Sequence, residues 1–292
     1  MRLPSLLFIA SALAVSLAAQ NSPSSSTIAH VSLTTAEIAD VSSSKETQLA
    51  PAKETAISLA LPARISQRCG TQAAVSTVCR FNWRPALLQS IQFLAIQHAM
   101  NTPTYHGTLQ GPFFRDWFRS VKAYRYTRWS DDDPFLVDYI GHPMMGAVVG
   151  RIQVQNDPRG MSLEFGRSKN YWKSRAKAFG FAAVYTAQWE LGPVSETSIG
   201  NIGSFEYYSP SAHHLSNGTG AVDLVMTPLG GTAWLVGEDL LDKYAIARLE
   251  RVSNQKLWLL SISVLNPTRS VANLLRMKTP WHRDTRTVGG PR

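Results

Sequence analysis

One histidine and three acids lie among apolar residues in the region from residue 142 to residue 238: His142, Glu190, Asp223 and Glu238. His142 precedes Pro143, which marks the start of a predicted helix, and Glu190 ends an almost wholly apolar helical segment. Asp223 and Glu238 fall near one stripe of a long helical pattern, because Thr227, the Gly230-Gly231 pair and Trp234 lie between them at spacings of three or four residues. A buried acid is costly unless it is paired, so each must have a partner.

Mutual contact is one way to satisfy these four candidate catalytic residues. Grouped around a cavity, they would bind a divalent metal through imidazole and carboxylates, or act as an acid and base with shifted pKa values. The alternative is structural: the acids cap helices or pair with Arg151, Arg248 or Arg269, and His142 is a helix cap. The run Asp131–Asp133 is interpreted as a solvated loop with a helix cap.

Recognised catalytic signatures are missing from the sequence. It contains no G-x-S-x-G, H-E-x-x-H or G-x-x-x-x-G-K-[ST] motif and no dinucleotide-binding glycine pattern. We therefore predict no cofactor and no resident metal from motifs, and the four candidates rest on their residue types and spacing alone.

Helical periodicity dominates the region that must position these residues. It predicts helices in NWRPALLQSIQFLAIQHAM, GPFFRDWFRSVKAYRY, PMMGAVVGRIQVQN and YWKSRAKAFGFAAVYTAQWELG, the last ending at Gly192 before Pro193. A further long helix, GAVDLVMTPLGGTAWLVGEDLLDKYAIARLER, is predicted to break or kink near Pro228 and the Gly230-Gly231 pair. The segment RVSNQKLWLLSISVLN fits helix or strand, and residues 193–218 look like a long loop. The predicted fold class is mainly α, a single compact helical bundle after a disordered N-terminal linker.

The two ends of the chain differ from this domain. Residues 1–19 have one basic residue, an apolar run and small residues near a cleavage site, as in a signal peptide. The run is shorter than the roughly 20 apolar residues of a spanning helix, the rival interpretation. We divide the chain into that signal, a disordered linker over 20–62, a helical domain over 63–278 and a basic tail over 279–292.

Only two cysteines occur, Cys69 and Cys79. In an exported protein such a pair is expected to form a disulfide that closes a short loop. Two buried free thiols are the alternative. The spacing fits neither a C-x-x-C redox motif nor a zinc pair.

Positive charge and one aromatic helix suggest where the protein binds. The formal net charge is +9, which favours anionic membrane surfaces or envelope polymers as partners; no nucleic-acid motif appears, and nucleic acid is not predicted. On a helix, the aromatic residues Phe114, Trp117 and Phe118 fall on one side and the cations Arg115, Arg119 and Lys122 on another. This pattern is typical of a helix lying on an anionic bilayer. The alternative is a surface helix whose aromatic side belongs to the core.

Gly146 and Gly150 form a G-x-x-x-G pattern. In lipid this would indicate helix dimerisation. Because no apolar run after the signal reaches spanning length, we expect close contact of two helices inside the domain instead.

Four motifs in order carry a family resemblance: WSDDDPFLVDYIGHPMMG, YTAQWELGPVSE, DLVMTPLGGTAWLVGE and LNPTRSVANLL. Together, from about Trp129 to Leu275, they resemble an uncharacterised family of bacterial envelope proteins, a domain of unknown function. The resemblance implies an exported helical domain with recurring His-Pro, Trp-Glu, Asp-to-Gly-Glu and Asn-Pro-x-Arg steps. On this chain these are His142-Pro143, Trp189-Glu190, Asp223 to Glu238, and Asn266 to Arg269. It implies no particular reaction.

These observations predict an exported, envelope-associated helical protein, in the periplasm or at the outer membrane, that is a structural or binding component at the membrane surface. The alternative is an envelope hydrolase acting on lipid or glycan. In that case His142 would be the base, and Glu190, Asp223 or Glu238 would be an acid or metal ligand.

Overall fold

The computed structural model describes residues 80–101, 113–131, 133–200 and 219–284. Within these ranges every regular element is helical, as the mainly α prediction requires. The predicted signal peptide, the linker, Cys69, Cys79 and residues 285–292 lie outside the described residues.

The helices that follow one another along the chain are α1 (Trp83–Asn101), α2 (Phe113–Ala123), α3 (His142–Asn156), α4 (Lys169–Leu191), α5 (Val222–Val225), α6 (Gly231–Leu241), α7 (Ala247–Leu249), α8 (Lys256–Ser263) and α9 (Pro267–Leu275). Four π-helical turns adjoin them: Val137–Gly141 before α3, Glu196–Gly200 after α4, Met226–Gly230 between α5 and α6, and Asp242–Ile246 between α6 and α7. The break predicted near Pro228 is therefore a π-helical turn, and the segment that fitted helix or strand contains α8.

α3 is the central helix of the bundle. It contacts α1, α4, α6, α9 and the π-helical turn Met226–Gly230, and fourteen of its fifteen residues are buried. A helix buried on all sides has no solvent face, so its polar residues must find partners inside the protein. Gln155 donates to Asn273 Oδ1 at 3.0 Å, and Asn156 donates to Gln89 Oε1 at 3.2 Å.

A buried ion-pair network joins α3 and α4 to α6. Arg151 Nη1 lies 2.8 Å from Asp239 Oδ1, and Arg175 Nε donates to Asp239 Oδ2 at 2.7 Å. Both arginines are almost fully buried, which is tolerated because each is paired. One carboxylate thus ties two neighbouring helices to a third.

Local sequence explains where the helices begin and end. Ser168 accepts a hydrogen bond from the Tyr171 backbone N–H at 3.2 Å at the start of α4, and Asn266 accepts one from Arg269 N–H at 3.2 Å at the start of α9. α4 ends at Leu191, directly before Gly192, as predicted. Among the described residues, no helix is both long and apolar enough to cross a membrane.

Residues of the predicted basic tail also contact the domain. Asn273 Nδ2 donates to the carbonyls of Pro280 and His282, each at 2.9 Å. Arg283 Nε donates to Glu250 Oε2 at 2.6 Å. The described part of the tail is therefore fixed against α9.

Candidate functional site

His142 begins α3 and points its ring at the π-helical turn Met226–Gly230. Its Nδ1 lies 3.0 Å from Thr227 Oγ1, and the side chain is 6% exposed. Gly146 permits this approach, because a Cβ at position 146 would lie 1.7 Å from the Thr227 carbonyl oxygen. Close backbone contact one turn into α3 therefore sets Thr227 beside the imidazole. The G-x-x-x-G pattern thus mediates contact within the domain, as expected.

Glu190 and Asp223 converge on this histidine from two other helices. Glu190 lies at the end of α4 and Asp223 lies in α5, and each residue is 3% exposed. His142 Nε2 is 3.3 Å from Asp223 Oδ1. One ligand atom from each of the three residues lies within 4.8 Å of the other two. The structure therefore brings together three of the four residues that the sequence nominates, and we call them the His142–Glu190–Asp223 cluster.

Glu238, the fourth nominated residue, is not brought into this cluster. Its Oε1 accepts hydrogen bonds at 3.1 Å from Trp234 Nε1 and from the backbone N–H of Thr268. Its Oε2 accepts from the Thr268 hydroxyl and lies 3.4 Å from Arg151 Nη2. Glu238 thus caps the start of α9 and pairs with Arg151, which is the structural alternative stated for it above.

The physical reason for this difference is distance along the helix axis. Asp223 and Glu238 are fifteen residues apart, so at a rise of 1.5 Å per residue a continuous helix would separate them by about 22 Å even on one shared stripe. The π-helical turn Met226–Gly230 between them also interrupts the α-helical period on which the stripe depends. Glu238 therefore lies at the start of α9 and not beside Asp223.

Asp131 belongs beside the cluster, and the interpretation of Asp131 as part of a solvated loop is wrong. It is 3% exposed and is hydrogen-bonded to Asp223. Backbone pairing brings it there: Ala221 N–H donates to Arg128 O at 2.8 Å, and Val222 N–H donates to Trp129 O at 2.9 Å. Asp133, at the other end of the acidic run, is exposed as predicted.

Tyr124 is a second residue that the sequence does not nominate. Its hydroxyl donates to the carbonyl oxygen of Gly220 at 2.8 Å and lies 3.5 Å from Glu190 Oε2. Burial, followed by the nearby Glu190 charge, raises the pKa of Tyr124, so its hydroxyl keeps its proton. The residue therefore serves as a hydrogen-bond donor at the edge of the cluster.

Burial and like charge control protonation in the cluster. Burial, followed by the charges of Glu196 and Asp131, raises the pKa of Glu190 well above its usual range. Burial and then the Glu190 charge do the same to the pKa of Asp223. Burial lowers the pKa of His142 to about 4, so the imidazole is neutral at pH 7. The site thus holds a neutral imidazole and two carboxyls that need either protons or a cation.

Such a donor set can do two kinds of chemistry. A neutral imidazole nitrogen and carboxylate oxygens are ligands for borderline divalent ions such as Zn²⁺, Mn²⁺ and Fe²⁺. The same groups could exchange protons with a substrate. The three side chains are at most 6% exposed, and this burial favours a bound ion over a substrate.

The six residues nominated for membrane contact lie on α2. Phe114 and Phe118 are 71% and 56% exposed, and Arg115, Arg119 and Lys122 are exposed as well. Trp117 is half-buried, and its Nε1 donates to Leu191 O at 3.0 Å. Lys122 Nζ lies 4.5 Å from the centre of the Phe118 ring. The aromatic side of α2 is thus only partly used inside the domain.

An apolar groove of about 650 Å³ lies between α1 and α4, lined mainly by Trp83, Leu87, Ile91, Phe181 and Val184. The His142–Glu190–Asp223 cluster does not line it.

Comparison of the chain with protein-family models, with curated proteins and with solved structures finds no match. The functional argument therefore rests on the geometry of this chain, and the envelope-family resemblance stays a prediction.

Proposed function

We propose that this chain is a binding protein for a divalent cation, held in the domain interior by His142, Glu190 and Asp223. The observation that carries the proposal is the convergence of three buried ligand atoms within 4.8 Å of one another. Burial first, and then neighbouring carboxylates, raise the pKa values of Glu190 and Asp223, so the protein alone does not stabilise their charged forms, whereas a bound cation would.

The distances suit a small coordination sphere. A tetrahedral ion with bonds of about 2.0–2.1 Å to nitrogen and oxygen separates its ligand atoms by about 3.3–3.4 Å. The distance from His142 Nε2 to Asp223 Oδ1 is already 3.3 Å. Glu190 needs only a side-chain adjustment, because its ligand atom is within 4.8 Å of the other two.

Thr227 supplies the orientation that a histidine ligand requires. Metal-binding histidines usually hydrogen-bond through the nitrogen that does not touch the ion, which fixes the ring and its tautomer. Thr227 Oγ1 occupies that position at Nδ1. Nε2 then presents its lone pair to the two carboxylates.

A closed, fully buried site fits an ion that stabilises the fold. The ion would tie together α3, α4 and α5, which contribute one ligand each. We retain the exported, envelope-associated setting as part of the proposal, because the apolar N-terminal run and the net charge of +9 support it. The alternative of a lipid or glycan hydrolase would require substrate to reach a histidine that is 6% exposed.

Calorimetric titration of the metal-depleted full chain with Zn²⁺ tests the proposal. We expect binding at pH 7 that weakens as the pH falls, because protons compete for the carboxyl groups. Glu190→Gln should weaken binding at least about tenfold. Glu238→Gln is the matched control, since Glu238 is a carboxylate of similar burial outside the cluster. Equal weakening by both variants, or no binding by the unmodified chain, would refute the proposal.

Contact with an anionic membrane surface is a second candidate function, supported by the exposed aromatic and basic side chains of α2. Interfacial helices bind through apolar burial together with attraction to anionic lipid. We expect retention on vesicles rich in phosphatidylglycerol at low salt, reduced by Phe118→Ser. Phe135→Ser is the control, because Phe135 is 67% exposed and lies outside α2. Retention that is unaffected by Phe118→Ser, or an absence of retention, would refute this function for α2.

A further inference from the structure

Three aspartates form a second group beside the His142–Glu190–Asp223 cluster. Asp131, Asp133 and Asp138 each place a carboxylate oxygen within 4.8 Å of the other two. Asp131 and Asp138 are 3% and 4% exposed, whereas Asp133 faces solvent. The group thus has a buried floor and a solvent-facing side through which an ion can enter.

The carboxylate of Asp138 shows that this group is not satisfied by the protein alone. Asp138 Oδ1 is buried, and within the described part of the chain it has no hydrogen-bond partner. A buried carboxylate oxygen without a partner carries the full cost of its lost hydration. Burial, followed by the charges of Asp131 and Asp133, also raises the pKa of Asp138 to about 7. A cation bound among the three oxygens would remove both penalties.

Asp131 links this group to the first cluster. It is hydrogen-bonded to Asp223, and its negative charge acts on His142 and Glu190 as well. Asp131 also acts on Asp138. Because Asp131 is hydrogen-bonded to Asp223 and has a carboxylate oxygen within 4.8 Å of those of Asp133 and Asp138, it lies between the two groups and can serve both.

We infer that Asp131, Asp133 and Asp138 bind a second divalent cation next to the first, with Asp131 between the two ions. An all-oxygen donor set favours a hard ion such as Mg²⁺, Ca²⁺ or Mn²⁺, whereas the imidazole of His142 suits a borderline ion at the first cluster. The pairing of the ions rests on the proposed function. The second site itself does not, because it has its own ligands.

Manganese is the probe for the test, because it binds both donor sets and has an electron paramagnetic resonance spectrum. Equilibrium dialysis of the full chain should give two Mn²⁺ ions bound, and magnetic coupling between them should broaden the hyperfine pattern. Asp138→Asn should leave one ion and restore the spectrum of an isolated Mn²⁺. Asp157→Asn is the matched control, because Asp157 is equally buried but is paired with Lys177. It should retain both ions.

A further variant tests the second site without changing a buried residue. Asp133 is exposed, so Asp133→Asn leaves the core intact. It should weaken binding of the second ion at least about tenfold. If both Asp133→Asn and Asp138→Asn bind the second ion as tightly as the unmodified chain, the inference is overturned. One bound ion that is lost in Glu190→Gln and kept in Asp138→Asn would also overturn it while leaving the proposed function standing.

The converse result separates the two proposals. One ion that is lost in Asp138→Asn and kept in Glu190→Gln would support the second site and refute the first. Two ions without magnetic coupling would refute the position of Asp131 between them. No bound Mn²⁺ in the unmodified chain would overturn the second site.

Discussion

Replacing Gly146 with alanine should force α3 away from the π-helical turn Met226–Gly230. A Cβ at position 146 would lie 1.7 Å from the Thr227 carbonyl oxygen, whereas real Cβ contacts are not shorter than 3.0 Å, so the backbone must move by about 1.3 Å or more. Both sides of the contact are backbone, and a rotamer change cannot relieve it. Overpacking of this kind costs about 3 kcal/mol. The same shift would pull Thr227 from His142 and weaken cation binding.

Urea unfolding, followed by circular dichroism, measures this cost, and two other glycines serve as controls. A Cβ at Gly150 would meet a side-chain atom, Leu235 Cδ2, at 3.2 Å, and a Cβ at Gly180 would meet nothing within 4 Å. Gly150→Ala should therefore change the free energy of unfolding by less than about 1 kcal/mol, and Gly180→Ala should raise it by about 0.5–1 kcal/mol. A Gly146→Ala protein within about 1 kcal/mol of the unmodified chain would refute the proposed backbone contact.

Three further predictions concern His142, Glu238 and Asn266. Folding lowers the pKa of His142 from 6.5 to about 4, so the unfolded chain binds a proton here more readily than the folded one. The contribution of His142 to folding stability is therefore complete above pH 6.5 and is lost as the pH falls to about 4. The free energy of unfolding should fall by about 3 kcal/mol from this cause. Unfolding of the metal-free chain at pH 7 and at pH 4 measures this fall, which should be smaller in His142→Gln. Glu238→Gln should lower the free energy of unfolding by about 2 kcal/mol, since Arg151 loses one of two carboxylate partners; a change below 0.5 kcal/mol would contradict this role. Asn266→Ala should cost about 1 kcal/mol in urea unfolding, because α9 loses its cap, and a neutral result would show that the cap contributes nothing.

Local signals in the sequence account for much of the fold. The stop at Gly192 and the break near Pro228 depend on backbone chemistry close along the chain, and the structure places a helix end and a π-helical turn there. The convergence of His142, Glu190 and Asp223 could be predicted because burying an ionisable group costs free energy unless the group is paired. Contact among the three residues is one way to pair them.

Other parts of the site depend on contacts that no local pattern encodes. Asp131 reaches Asp223 because residues 128 and 129 pair through their backbone with residues 221 and 222, far away along the chain. Tyr124, which directly follows α2, reaches Glu190 through a side-chain hydrogen bond across 66 positions of the chain. Glu238 lies fifteen residues from Asp223, about 22 Å along a helix, and it contacts Thr268 and Arg151, which are remote from it along the chain.

The most direct test of the central claim is the anomalous diffraction of a crystal of the full chain loaded with Zn²⁺. The account predicts an anomalous peak bonded to His142 Nε2 and to carboxylate oxygens of Glu190 and Asp223, at about 2.0–2.2 Å from each. A peak only at other residues, or a map in which His142 Nε2 contacts Asp223 with no metal between them, would contradict it.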